Sequence, residues 1–508
     1  MLGGMTAFGL DRGLGMFADW TDRVAAGELP PVAPSRPQAL ERNLVLTEWD
    51  WAVATGYLHD EVSTDRRNPT LNGNGLIYGS MELSTDYLPV LDPVRNTISQ
   101  VRLNIADADT PPAAAQSELA PSPYFGDQLP WTGRANVHNA MLDEAGRVWF
   151  TSTVRPAQNP DFCGAGSSLA SARAFPLMSS GRQLGVYDPR TGQQVAINTC
   201  FSTHHLMFAE DANNTLWTSG GGNVVGWLDT RKFLETGDAA ASQGWTPVVL
   251  DTVGDGQRHA YTEPNQPADP AKDQRINAPF YSINPAPDGS IWGSCWQCSF
   301  PGAIIRLNPG ANPVETTLAE MYQPPWNNPN APNIGYGPRG MDIDRDGVAW
   351  ISMASGHLAS FDRRKCQGPL NGPNATGQQC PEGWTFYTDP LPQLEGVTDP
   401  GSAEGSYFTW VDQFNTLGLG NNVPVGTGNE SEALLVLNQG QWVVLRVPYP
   451  MGFYAKWLDG RIDDPNGGWK GRGLWATVST RAPFHMETGK GTTSKVIHFQ
   501  LRPDPLAE

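Results

Sequence analysis

Positive charge is scarce in this chain: 34 Lys and Arg stand against 52 Asp and Glu among 508 residues, a net charge of −18. Phosphate recognition needs a Lys/Arg-rich surface, so this balance argues against a nucleic-acid partner. No run approaches the roughly 18 apolar residues of a membrane-spanning helix, so no membrane span is expected. The serine-hydrolase elbow Gly-x-Ser-x-Gly is missing, as is the haem-attachment sequence Cys-x-x-Cys-His, and both of those chemistries lack their central residues here. The opening MLGGMTAFGL has no basic segment and no clear small-residue cleavage site, so a signal peptide is not visible. Charged residues are only 17% of the chain against 39% hydrophobic, a globular and not a disordered composition.

What is plentiful is turn chemistry and tryptophan: 55 Gly, 44 Pro and 18 Trp mark a β-type protein dense in turns. The stretch from Thr203 to Thr230 reads as three short strands. Apolar His205–Ala209 and Leu216–Ser219 flank a polar turn, and Val224–Leu228 follows a glycine patch. The same pattern recurs. Its anchors are Leu76–Ser80, Val148–Ser152, Leu216–Ser219, Ile291–Ser294 and Val348–Ser352, with weaker copies at Leu417–Gly420 and Leu474–Thr477. An acidic or glycine turn precedes four of them, and each is followed by another strand, such as LGVYDP (184–189) or HLASFD (357–362).

A small antiparallel unit repeated in this way cannot bury its own faces, so the copies must stack radially. The expected fold is all-β: a seven-bladed β-propeller with long inter-strand loops and a short N-terminal helical extension. Residues 1–42 are read as that helix and a proline-rich connector, with Met16, Phe17, Trp20 and Val24 at helical spacing. Residues 43–503 are the propeller and 504–508 a tail. The repeats run well above the 40–50 residues of compact propeller blades, and the excess lies in loops of the kind on which binding surfaces are built.

Six cysteines invite local pairing: Cys163 with Cys200, Cys366 with Cys380, and Cys295 with Cys298 as a tight disulfide, a redox pair or half a zinc site. Disulfides imply a periplasmic or secreted compartment; reduced buried thiols are the alternative.

The turn-then-Trp segments GPRGMDIDRDGVAWISM (337–353) and VHNAMLDEAGRVWFTS (137–152) resemble the repeat of the virginiamycin B lyase (streptogramin lyase) family of bacterial propellers. That resemblance covers four blades well and three loosely. It implies a metal-dependent enzyme with a histidine and carboxylates gathered at one mouth of the central channel, without a residue-by-residue correspondence.

In a propeller the innermost strands all start at one end of the channel, so their first residues converge. Counting back from the anchors brings His138, His205, Tyr281, Arg339 and Tyr407 to equivalent positions, with Tyr454 or Lys456 in the last blade and Glu48, Trp49 or Asp50 in the first. His138 and His205 are candidate metal ligands or proton carriers, and Arg339 a clamp for a carboxylate or developing oxyanion. Tyr281 joins them as a catalytic candidate. Tyr407, Tyr454, Lys456, Trp49 and His485 are candidate substrate contacts. Strand alternation places His204 on the opposite face from His205, in a structural role. Histidines and tyrosines that merely line the channel are the competing reading.

Two acidic loops suit calcium. Asp251, Asp255 and Glu263 resemble the DxxGDG loops of secreted proteins, and would make a structural calcium site. Asp342, Asp344 and Asp346 alternate as in half an EF-hand loop, although a hairpin explains the same spacing.

The function expected is that of a secreted or periplasmic enzyme carrying a divalent metal in the channel. It would be a lyase or hydrolase acting on a small-molecule or oligosaccharide-like polar substrate. A histidine-ligated iron or copper oxidoreductase is the second enzyme class, weakened by having only two histidines at inner-strand starts. A non-catalytic propeller binding a glycan or protein is the third.

Overall fold

A computed structural model describes residues 39–51, 56–113, 131–326, 334–394, 396–448, 451–478 and 494–503, with isolated residues between and before these. Most of the helix and connector read over residues 1–42 lies outside the described residues, as does His485.

The chain is an all-β propeller. Its strands form seven sheets, six of them four-stranded and antiparallel. The innermost strands are Leu58–Val62, Ala140–Leu142, Leu206–Phe208, Asn284–Pro285, Pro338–Ile343, Thr409–Asp412 and Leu458–Ile462. Each contacts the next in order, and Leu458–Ile462 contacts Leu58–Val62, which closes the ring. The last sheet is completed from the other end of the chain. Leu44–Asp50 pairs antiparallel with Lys495–Leu501, Leu44 opposite Leu501 and Asp50 opposite Lys495. Pairing the two ends of a chain removes the sheet edges that an open ring would leave.

This closure corrects one expectation. Glu48, Trp49 and Asp50 are not the start of the first innermost strand but lie on the outermost strand of the last sheet. Trp49 stacks there on Trp475 at 5.6 Å, and its indole N–H donates to Asn96, away from the channel. A second correction concerns the sixth anchor. Leu417–Gly420 is a loop, and the second strand of that sheet is Val423–Gly428.

The turn-then-Trp motif has a physical cause. Asp143 Oδ1 accepts the backbone N–H groups of Ala145 and Arg147, closing the hairpin, while its Oδ2 accepts the indole N–H of Trp149. Asp344 does the same with Asp346, Val348 and Trp350. One carboxylate thus satisfies the turn and fixes the tryptophan that follows, buried at Trp149 and half-buried at Trp350. The alternating acids at 342–346 are therefore hairpin chemistry.

Sheets packed on both faces need no alternation, and Val148–Ser152, Ile291–Cys295 and Leu58–Val62 are buried along their whole length. Close packing shows at Gly226, where a Cβ would stand 2.3 Å from the Phe201 ring. All three cysteine pairs form: Cys163–Cys200, Cys295–Cys298 and Cys366–Cys380. No described helix is long and apolar enough to cross a membrane.

Candidate functional site

Residues at or just before the starts of the innermost strands meet at one mouth of the channel. His138, His205, Tyr281, Arg339, Tyr407 and Lys456 are all buried there. The His138 and His205 ring centres are 5.0 Å apart, and His205 and Tyr281 are 5.1 Å apart. The Arg339 guanidinium lies over the rings of Tyr407 at 4.1 Å and Tyr281 at 4.9 Å. Lys456 Nζ lies over Tyr57 at 4.3 Å, Tyr454 at 5.1 Å and Tyr407 at 5.8 Å.

Two further histidines join them. His59, at the start of the first innermost strand, has its ring 3.8 Å from that of His138. His204 has its ring 3.8 Å from His138 and 4.3 Å from His205. The expected opposite orientation of His204 fails because the strand begins only at Leu206, so no alternation constrains the residues before it.

Hydrogen bonds fix how these rings face. His205 Nδ1 sits 2.8 Å from the carbonyl oxygen of Tyr281, which only accepts, so Nδ1 carries the proton. His138 Nδ1 meets Glu82 Oε1 at 2.8 Å, and His59 Nδ1 meets Asp60 Oδ1 at 2.5 Å. Those carboxylates are held in turn: Arg182 donates to Glu82, and the Asn139 amide donates to Asp60 Oδ2. A carboxylate or carbonyl on Nδ1 sets the tautomer and presents Nε2, the usual arrangement behind a metal-ligating histidine. His59 Nε2 and His138 Nε2 are buried and have no hydrogen-bond partner among the described residues. Leaving such atoms unsatisfied costs about 1–3 kcal/mol each, which a ligand on Nε2 would offset.

Ligand-capable atoms of His138, His204 and His205 lie within 4.8 Å of one another, and so do those of His59, Glu82 and His138. The two groups share His138. Burial holds the His138 imidazole well below the ordinary histidine range, with His204 and His59 adding to it. Burial does the same to His204, helped by His205. It brings His205 down to about 4. All three are neutral at pH 7, the form that ligates a metal. Neutral imidazoles with one carboxylate suit zinc, iron, copper or nickel better than calcium or magnesium.

The calcium candidates are not gathered. Asp251 accepts the backbone N–H groups of Gly254 and Gly256, Asp255 pairs with His259, and Glu263 pairs with Arg275. Among the described residues they form no metal-capable group.

Sequence reasoning missed His59, Asp60 and Glu82. The turn between the innermost and second strands of the first sheet spans residues 63–76, against 143–147 in the second sheet. The usual count back from the anchor ends inside that turn, so the first-strand assignment passes over His59 to Glu48–Asp50.

No protein-family model matches the chain, and no curated protein matches it in sequence. In fold it is similar to virginiamycin B lyase from Staphylococcus aureus, at 10% identity over 90% of this chain and 100% of that one, with a TM-score of 0.45. It is also similar to a chain of the mitotic checkpoint complex, at 7% identity over 94% and 98% of the two chains with a TM-score of 0.42. A luciferin-regenerating enzyme matches at 9% identity over 72% and 92%, with a TM-score of 0.36.

Proposed function

We propose that this chain is a seven-bladed propeller enzyme, one blade per sheet, that holds a divalent transition metal at the histidine mouth and carries out elimination or hydrolysis on a small or oligomeric polar substrate. The observation that carries the reading is the histidine cluster. Rings from three sheets converge, three of them with Nδ1 tied to a carboxylate or carbonyl, and two buried Nε2 atoms are left for a ligand. His138, His204 and His205 would hold the metal, with His59 and Glu82 beside them. The metal would supply Lewis acidity.

The remaining work falls to the chain. Catalytic sites use three protein ligands, so a cluster of four imidazoles would leave one able to exchange a proton with substrate. Arg339 and the phenols of Tyr281 and Tyr407 orient the polar group and stabilise charge that develops on it. The lyase or hydrolase choice follows the motif resemblance. The three disulfides fit an oxidising, secreted or periplasmic location.

A second reading gains from the structure: a histidine-ligated iron or copper oxidoreductase. Its weakness was too few histidines, and His59 and His204 bring the cluster to four.

Elemental analysis of the purified protein tests all of this. About one equivalent of transition metal, lost in His138→Ala/His205→Ala, supports a metal centre. Zinc or manganese favours the lyase or hydrolase, and iron or copper the oxidoreductase. A metal content unchanged by the double substitution sinks the metal reading and leaves a binding propeller.

A further inference from the structure

The three disulfides differ in what they hold. Cys163–Cys200 and Cys366–Cys380 close separations of 37 and 14 residues, whereas Cys295–Cys298 closes a separation of 3. A short loop restrains the unfolded chain least. This third bond also joins ends that the sheet already holds. Cys295 ends the strand Ile291–Cys295 and lies opposite Ala303, and the Gly302 N–H donates to the Ser299 carbonyl. Its placement sets it apart. The strand Ile291–Cys295 runs antiparallel to the innermost strand of its sheet, so it finishes where the innermost strands begin, at the histidine mouth. Ser294, just before the bond, ties two residues of that mouth: its carbonyl accepts the Tyr281 N–H at 2.8 Å, and its hydroxyl donates to the Arg339 carbonyl. Trp296, inside the closed ring, has its indole 5.8 Å from the Arg339 guanidinium. Cys295 is fully buried, Cys298 is 7% exposed, and its neighbours Gln297 and Ser299 are exposed.

We propose that Cys295–Cys298 is a thiol–disulfide exchange site, through which a protein dithiol sets the position of Trp296 at the mouth. The thiolate of the dithiol attacks Cys298 Sγ, on the more exposed cysteine of the pair. As the new S–S bond forms, the Cys295–Cys298 bond breaks, and its electron pair leaves on Cys295 Sγ, which takes up a proton. The partner's second thiolate then attacks the partner's own sulfur in the mixed disulfide and releases Cys298, which is protonated in turn. The partner is oxidised to a disulfide by two electrons, and the chain gains two thiols. The strand and the turn keep the two Cα atoms near their 5.4 Å separation, a bridging distance, so the exchange runs in both directions. Opening the ring frees Trp296 and Gln297, while Ser294 stays in the sheet with its bonds to Tyr281 and Arg339. The change is thereby confined to the contact of Trp296 with Arg339. The exchange goes beyond the metal reading and does not depend on it.

The test uses dithiothreitol as the dithiol. Native full-length protein is equilibrated with it at rising concentration, alkylated with iodoacetamide and digested for mass spectrometry. Cys295 and Cys298 should be half alkylated at a dithiol concentration about tenfold or more below that needed for Cys163 and Cys200, which are both fully buried. In protein labelled with 5-fluorotryptophan, the fluorine resonance missing from Trp296→Phe should shift over the same dithiol range. Glutathione disulfide should restore it. Cys366→Ser/Cys380→Ser, which removes the other disulfide with a partly exposed cysteine, should keep both responses. Cys295→Ser/Cys298→Ser should show the shifted resonance with no dithiol added. Should that variant not fold, the dithiol titration and Trp296→Phe decide alone. A Cys295–Cys298 bond that persists until the protein unfolds, or that opens only together with Cys163–Cys200, overturns the proposal. So does a bond that opens while the Trp296 resonance stays in place.

Discussion

The same seven inner strands end in two mouths that treat charge in opposite ways. Where the strands finish, arginines are locked into ion pairs. Arg66 pairs with buried Asp342, Arg67 pairs with Asp65 and donates a hydrogen bond to Asn214 Oδ1, and Arg345 pairs with Glu210. Each guanidinium also covers an aromatic ring, Trp410, Phe208 or Phe414. Where the strands begin, the Nε2 atoms of His59 and His138 are buried with no partner among the described residues. Neutralised charge at one end ties sheets together across the axis. The two unpartnered imidazole nitrogens at the other are a cost to the fold that a ligand would offset. The difference separates a lock from a site.

Breaking the lock should show the largest effect on stability. Asp342→Ala removes the partner of Arg66 and the acceptor for the Val411 N–H, leaving a part-buried cation without that carboxylate. A loss of about 3–5 kcal/mol is expected in denaturant unfolding. Metal content of the folded fraction should not change. If metal is lost along with stability, the two mouths are coupled and the comparison fails.

Loading the site should give the next largest change, of opposite sign. At a free metal concentration a hundred times the dissociation constant, unfolding should become harder by about 2.7 kcal/mol, because only the folded state assembles the ligands. The gain should vanish in His138→Ala/His205→Ala and persist in Asp342→Ala.

Much of this contrast was legible in the sequence, and the parts that were not share a cause. The repeat, the three disulfides and the residues at five inner-strand starts follow from local signals: a turn acid, a tryptophan, a fixed distance back. Ring closure carries no such signal, because Leu44 and Leu501 come from opposite ends of the chain. The first innermost strand, LHDEV, is buried on both faces and holds three ionisable residues in a row, so it shows neither apolar run nor alternation. Its long following turn, residues 63–76, hid His59 from counting, and that same turn carries Arg66 and Arg67. The segment that closes one mouth is what obscured the other. His204 was misplaced by applying strand geometry two residues before the strand begins.

Acid would blur the comparison unless one remote group is removed first. His498 stacks on Trp475 at 4.0 Å in the last sheet, and burial, with Arg461 nearby, brings its imidazole down to about 3. A histidine whose folded value is depressed contributes fully above its unfolded value near 6.5, and the contribution is lost as pH falls from there toward 3. Between pH 7 and pH 5 the loss should be about 2 kcal/mol from this residue. His498→Phe, which keeps the stack, should flatten the stability profile over that window by that amount. An unchanged profile would mean that His498 does not carry the acid sensitivity.

The smallest expected stability change falls on the residue the site depends on most. His138→Ala, measured without metal, deletes a buried imidazole whose Nε2 has no partner, so it removes an unsatisfied group along with its packing. Glu82 loses the imidazole but keeps Arg182 at 2.7 Å. These terms oppose each other, and the net change should stay within about 1 kcal/mol of zero. Yet His138 belongs to both metal-capable groups, so the same substitution should abolish metal binding. A residue whose removal leaves the fold intact and empties the site is held there for its ligand. A loss of several kcal/mol in the metal-free protein would instead make His138 a structural member of the channel wall, and both mouths would then be locks.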